Sequence, residues 1–244
     1  MEKGFASLVG AALIALGIAL AGWWVGQGFR EGRAADRYAA VKGLAEREVV
    51  ADLALWPIRF VVTNNDLAAA QKEIAEDSQR LMSFLARTGI PADAVSVDRF
   101  SVTDLLAERY RTGPVDSRYI LEKGLMIRTK EVAKVVAASQ QLGDVVAEGV
   151  VLSSSSDGSP GGPSYVFTQL NAIKPDMIAE ATKNARSAAE KFTADSGVKV
   201  GEVRRASQGV FEILARDETP GVFEPSQVNK KVRVVSTLEF GLAP

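Results

Sequence analysis

The chain has 244 residues, 47% of them hydrophobic and 24% charged, which suits a folded protein with a real core and excludes a disordered one. Its formal net charge of -1 gives no electrostatic footprint for nucleic acid. It contains no Cys and no His, which removes disulfides, thiolate–zinc sites, the thiol nucleophile, the commonest general base and the Ser-His-Asp triad.

Phe5 to Phe29 form a run of 25 residues without a charged side chain. As a helix that run would be roughly 37 Å long, enough to cross a ~30 Å hydrocarbon core with some tilt. Ala19-Leu20-Ala21 can be read as a signal cleavage site. The uncharged run continues past it, however, and Trp23 and Trp24 stand where an interfacial aromatic anchor belongs. A retained anchor over 1–30 is therefore expected, then a linker over 31–39 and one folded domain over 40–244. Ser7, Ala11, Ala15 and Ala19 recur every four residues, and Gly22 and Gly26 have GxxxG spacing. Small residues let helices approach closely in lipid, so these six positions, in two rows, are the expected self-association residues, the alternative being that Ala and Gly are simply common in membrane helices. Arg30, Arg33 and Arg37 follow the helix and outnumber Lys3 before it, so by charge count alone the C-terminal side would be cytoplasmic.

Beyond the anchor the pattern predicts an α+β domain: a mostly antiparallel sheet with three packed helices, preceded by the one transmembrane helix. Val41 to Val50 and Leu53 to Val62 read as strands, the second apolar on both faces, with Pro57 marking an edge or a bulge. Asp66 to Thr88 reads as a helix burying Leu67, Ala70, Ile74, Leu81 and Leu85, stopped by Gly89 and Pro91. Strands are expected at Val95 to Glu108 and Ser117 to Arg128. A second helix is expected over Lys130 to Leu142, ending at Gly143, and then a strand over Val145 to Leu152. SSSSDGSPGGPS at 153–164 reads as a loop with no phosphate-binding fingerprint, and YVFTQL at 165–170 as an extra strand. A third helix should open at Pro175, bury Ile178, Ala181, Ala185, Ala188 and Phe192, and close at Gly197. KKVRVVSTLEF at 230–240 is an alternating strand with Val232, Val234, Leu238 and Phe240 on one face.

Candidate chemistry is sparse. Asp104, Glu108 and Asp116 bracket one loop but read more readily as solvated carboxylates than as an acidic site, and Ser153 to Ser156 have no lysine base within their loop. Arg204-Arg205 and Lys230-Lys231-Arg233 read as cations that blunt strand edges or form ion pairs between subunits. Trp56, Tyr110, Tyr119 and Phe211 read as core or interface. No catalytic residue, cofactor site or metal site is expected.

VKGLAEREVVADLALWPIRF (41–60), GIPADAVSVDRFSV (89–102), IKPDMIAEATKNARSAAEKFTADSGVKVGEVRRASQG (173–209) and the final KKVRVVSTLEF, in this order, resemble the SIMPL-domain family of bacterial envelope proteins. The chain has Gly43-Leu44-Ala45 and Ala51-Asp52 where many members carry Gly-x-Gly and Pro-Asp, and its 153–164 loop is longer, which suggests a membrane-anchored subgroup. The resemblance implies an exported α+β domain in the periplasm, with some members assembling into large closed rings, and it brings no catalytic residues. On that ground the expected location is the inner membrane, single-pass, with the domain periplasmic, against the charge count. The expected partners are the bilayer, copies of the chain itself and other envelope proteins. The expected role is a non-enzymatic homo-oligomeric scaffold, with a chaperone-like stress-response binding module as the alternative.

Overall fold

The computed structural model describes residues 15–27, 37–107, 116–153 and 162–243. The elements run α1 (15–27), β1 (Tyr38–Val50), β2 (Leu53–Asn64), α2 (Leu67–Arg87), β3 (Val95–Asp104), β4 (Tyr119–Thr129), α3 (Val132–Gln140) and α4 (Leu142–Ala147). They continue with β5 (Ser164–Val166), α5 (Leu170–Ala194), β6 (Lys199–Gln208), β7 (Glu212–Ala215) and β8 (Asn229–Ala243). The described residues fall into two compact units. One draws on Met1–Ala45, Pro175–Phe211 and Val234–Pro244, the other on Glu46–Lys174 and Glu212–Arg233.

In the larger unit the strand order is β3-β4-β2-β5, with every neighbouring pair antiparallel. One face of β2 buries Trp56, Ile58, Phe60 and Val62, which meet Leu121, Leu125 and Ile127 of β4 and Ile74, Leu81, Phe84 and Leu85 of α2. The opposite face of β2 is largely half-buried, although the strand is apolar on both faces. Asp66 caps α2 by accepting from the Ala69 N–H at 2.8 Å. Pro57 lies inside the sheet, but β5 ends opposite Leu55, and the next bonds on that side join Arg59 and Val61 to Ser153 and Val151. Its missing N–H thus falls at a gap in the ladder, a local edge within a central strand. A water-sized cavity of about 40 Å³ occupies this gap, lined by Pro57, Arg59, Leu142 and Leu152 among others.

The smaller unit has the strand order β1-β8-β6, with β6 antiparallel to β8. Helix α5 covers it with Met177, Ala181, Ala185, Ala189 and Thr193, all buried and each four residues apart. In the larger unit β7 pairs with the first part of β8, Ala215 opposite Lys230.

The α+β class with antiparallel sheets holds, but the helix count does not: there are five helices among the described residues, four of them beyond α1. The expected second helix is two, because a 3-10-type turn at Gln141, bonded to Ala138, separates α3 from α4. Gly143 sits inside α4 rather than ending it, and the stop is Gly149, whose φ of +99° only glycine adopts readily. The expected 145–152 strand shrinks accordingly to an isolated bridge between Leu152 and Phe60. Helix α5 starts at Leu170, five residues before Pro175, and so carries the proline inside it rather than at its first position. The buried stripe of α5 also differs from the one expected: Ala188 and Phe192 face outward, and Ala189 and Thr193 are buried instead. No helix among the described residues is long and apolar enough to cross a membrane; α1 covers only 15–27 of the uncharged run.

Candidate functional site

Three exposed surfaces stand out, and the first and third are apolar. The first is α1. Leu16, Ile18, Leu20, Trp23, Trp24 and Val25 are all exposed, Trp23 at 67% and Trp24 at 75%. Ala15, Ala19, Gly22 and Gly26 follow one another by four, three and four residues, so they share a face. A Cβ built on Gly22 or Gly26 would meet nothing within 4 Å, which leaves the small-residue face open. Ser7 and Ala11 lie outside the described residues.

The second is β6, whose residues from Glu202 to Gln208 are all exposed on the outer strand of the smaller unit. Arg204 and Arg205 stand on this edge, as cations that guard against unwanted strand pairing do. The third is β3, the outer strand of the larger unit, with Val97, Phe100 and Val102 exposed.

Of the residues considered for chemistry, Asp104 is held in an ion pair. Asp104 takes a two-pronged ion pair from Arg118, with Nη2 at 2.8 Å and Nε at 3.1 Å, and the guanidinium lies 4.8 Å from the centroid of the Tyr119 ring. The hydrogen bonding of Arg118 holds the Asp104 carboxyl below its ordinary range. Glu108 and Tyr110 lie outside the described residues, as do Ser154, Ser155 and Ser156. The backbone carbonyl of Asp116 accepts from the Asn65 amide at 3.4 Å. Trp56 is core, and Tyr119 and Phe211 are half-buried. The described residues hold no group of three acidic, His or Cys side chains placed to bind a metal.

Sequence reasoning missed three features here. Lys230 is fully buried rather than an edge cation; its position in the same alternation as Val232 and Val234 was the available signal. Asp77 is buried within an apolar helix stripe and pairs with Arg80. The apolar edge of β3 was hidden by a break in its alternation at Asp98-Arg99.

No curated protein matches the chain. The family model described as "SIMPL: Protein of unknown function (DUF541)" matches residues 39–239, which takes in β1 and runs nearly to the end of β8. That span is most of the chain, and the chain belongs to the SIMPL family.

Proposed function

We propose that the protein is a non-enzymatic, single-pass inner-membrane protein whose SIMPL domain lies in the periplasm and assembles with copies of itself into a ring-like or cage-like scaffold. The observation that carries this reading is α1, an apolar helix whose large side chains are all exposed. Burying one such side chain is worth about 1.5–3 kcal/mol, so six along thirteen residues favour lipid over water strongly. The open face of Ala15, Ala19, Gly22 and Gly26, extended in sequence by Ser7 and Ala11, supports helix–helix contact within the bilayer. Trp23 and Trp24 suit the membrane interface.

The open, apolar edge of β3 supports assembly of the domains, and ring formation is what the resemblance to other SIMPL proteins implies. Alkaline extraction of membranes from expressing cells tests the anchor: the full chain should stay in the pellet, and release into the supernatant would refute it. Protease added to spheroplasts tests the side, with digestion of the domain expected; a protected domain would favour the orientation given by the flanking arginines. The exposed apolar side chains of β3 would equally serve a chaperone-like module, and that reading requires a reproducible heterologous partner on crosslinking in intact cells.

A further inference from the structure

Strand β3 pairs with β4 alone among the described residues. Its register sets Val95, Val97, Phe100 and Val102 opposite Ile127, Leu125, Lys123 and Leu121. These partners lie on the face that carries α2, since Ile127, Leu125 and Leu121 are core and Lys123 Nζ donates to Ser78 Oγ of α2 at 2.9 Å. Val97, Phe100 and Val102 nevertheless stay 61%, 52% and 45% exposed. Ser96, Arg99 and Ser101 lie opposite Met126, Gly124 and Glu122 on the other face. The irregularity between Val97 and Arg99 makes Asp98 an extra residue, which is why apolar side chains on both sides of it share one face.

Read outward from its centre, this segment is its own complement. Laid antiparallel on a second copy about the Asp98–Arg99 bond, Val95 meets Val102, Ser96 meets Ser101, Val97 meets Phe100 and Asp98 meets Arg99, each pair twice. The three uncharged matches each join residues of the same face, and the central match puts the opposite charges of Asp98 and Arg99 together. A slip of one residue either way would set Asp98 against Asp98 or Arg99 against Arg99, so the register is specified by charge. A regular foreign strand lacks the extra residue, whereas a second β3 carries the same one at the same place.

We infer that β3 is a two-fold contact between copies of this chain, the sheets of two molecules joining edge to edge through Val95–Val102 in this register. The inference rests on the homo-oligomer reading above and names one of its surfaces. A two-fold contact gives pairs, and a second contact per chain joins pairs into a larger closed assembly.

The chain has no Cys, so single-cysteine variants of the full chain report unambiguously. Ser96→Cys and Ser101→Cys, made separately with different tags and co-expressed, should form an intermolecular disulfide on mild oxidation. Either variant alone should not, because position 96 would stand five residues along the strand from its counterpart, roughly 17 Å away. Disulfides require Cα atoms about 4.4–6.8 Å apart. The crosslinked fraction in the mixture should exceed that of either variant alone by at least about tenfold, and Phe100→Asp in both chains should abolish it. Crosslinking of each variant alone to the same extent as the mixture would overturn the register. If the mixture does not crosslink while native mass still shows an oligomer, the β3 contact is wrong and assembly stands. A monomer mass would overturn both.

Discussion

A Cβ on Gly43 of β1 would stand 1.9 Å from the carbonyl oxygen of Ala181 and 2.5 Å from the backbone nitrogen of Ala185, both on α5. The obstacle is backbone on a rigid helix, which cannot rotate out of the way. The adjacent Asn184 side chain donates to the Leu44 carbonyl at 2.8 Å, fixing the same contact. Gly43→Ala should therefore cost about 3 kcal/mol, at the upper end of overpacking penalties, by lifting α5 from the sheet. Chemical denaturation of the full chain in detergent measures it. A wild-type midpoint would show that the helix sits further out.

The ammonium of Lys230, wholly buried on β8, donates to the Glu224 backbone carbonyl at 2.7 Å and to the Glu224 carboxylate. Deleting the carboxylate leaves a buried charge without its counter-ion, whereas deleting the lysine leaves a partly exposed glutamate that water can solvate. Glu224→Ala should thus destabilise by about 2–3 kcal/mol, more than Lys230→Met does. Thermal melts of the two variants decide the order, and the reverse ranking would contradict this account.

Asp52, at the turn between β1 and β2, accepts from the Thr168 N–H at 2.7 Å and the Thr168 hydroxyl at 2.8 Å. Desolvation pushes its carboxyl up, but those bonds and one from the Gln169 side chain together outweigh it, and the net shift is downward. A carboxyl depressed in the folded state contributes stability that is present above its unfolded pKa of about 3.9. That contribution is lost as pH falls through the lower folded value. Asp52→Asn should flatten the acid limb of the stability profile below about pH 4 and leave its shape at neutral pH unchanged. An unaltered acid limb would mean that the Thr168 bonds do not stabilise the charged form.

Ser236 is buried on the covered face of β8, and its hydroxyl has no hydrogen-bond partner among the described residues. Replacing it with alanine removes an unsatisfied polar group and should raise stability by roughly 1 kcal/mol. A loss of similar size would point to a partner for the hydroxyl.

The readable parts of the fold were those where one physical signal dominated. Strict alternation gave the buried face of β8 at Val232, Val234, Leu238 and Phe240, and the α2 stripe emerged from its period. The same alternation contains Lys230, but a cation in a basic cluster reads as an edge residue, and its charge masks the buried position. The α5 stripe was misplaced because alanine-rich helices offer several near-equivalent faces, and only the sheet beneath selects Ala181, Ala185 and Ala189. The edge of β3 was illegible because a bulge changes the parity of every later residue, and parity is all that sequence shows of a strand's faces. Gly43 was visible as a glycine, but the proximity that demands it is a tertiary fact.

Native mass spectrometry of the full chain in detergent, at micromolar concentration, tests most directly whether this SIMPL protein is a self-assembling membrane scaffold. A discrete mass of several copies is predicted, one that falls when Gly22 and Gly26 on α1 or Phe100 on β3 is replaced by a bulkier or charged residue. A strictly monomeric species under those conditions would contradict it.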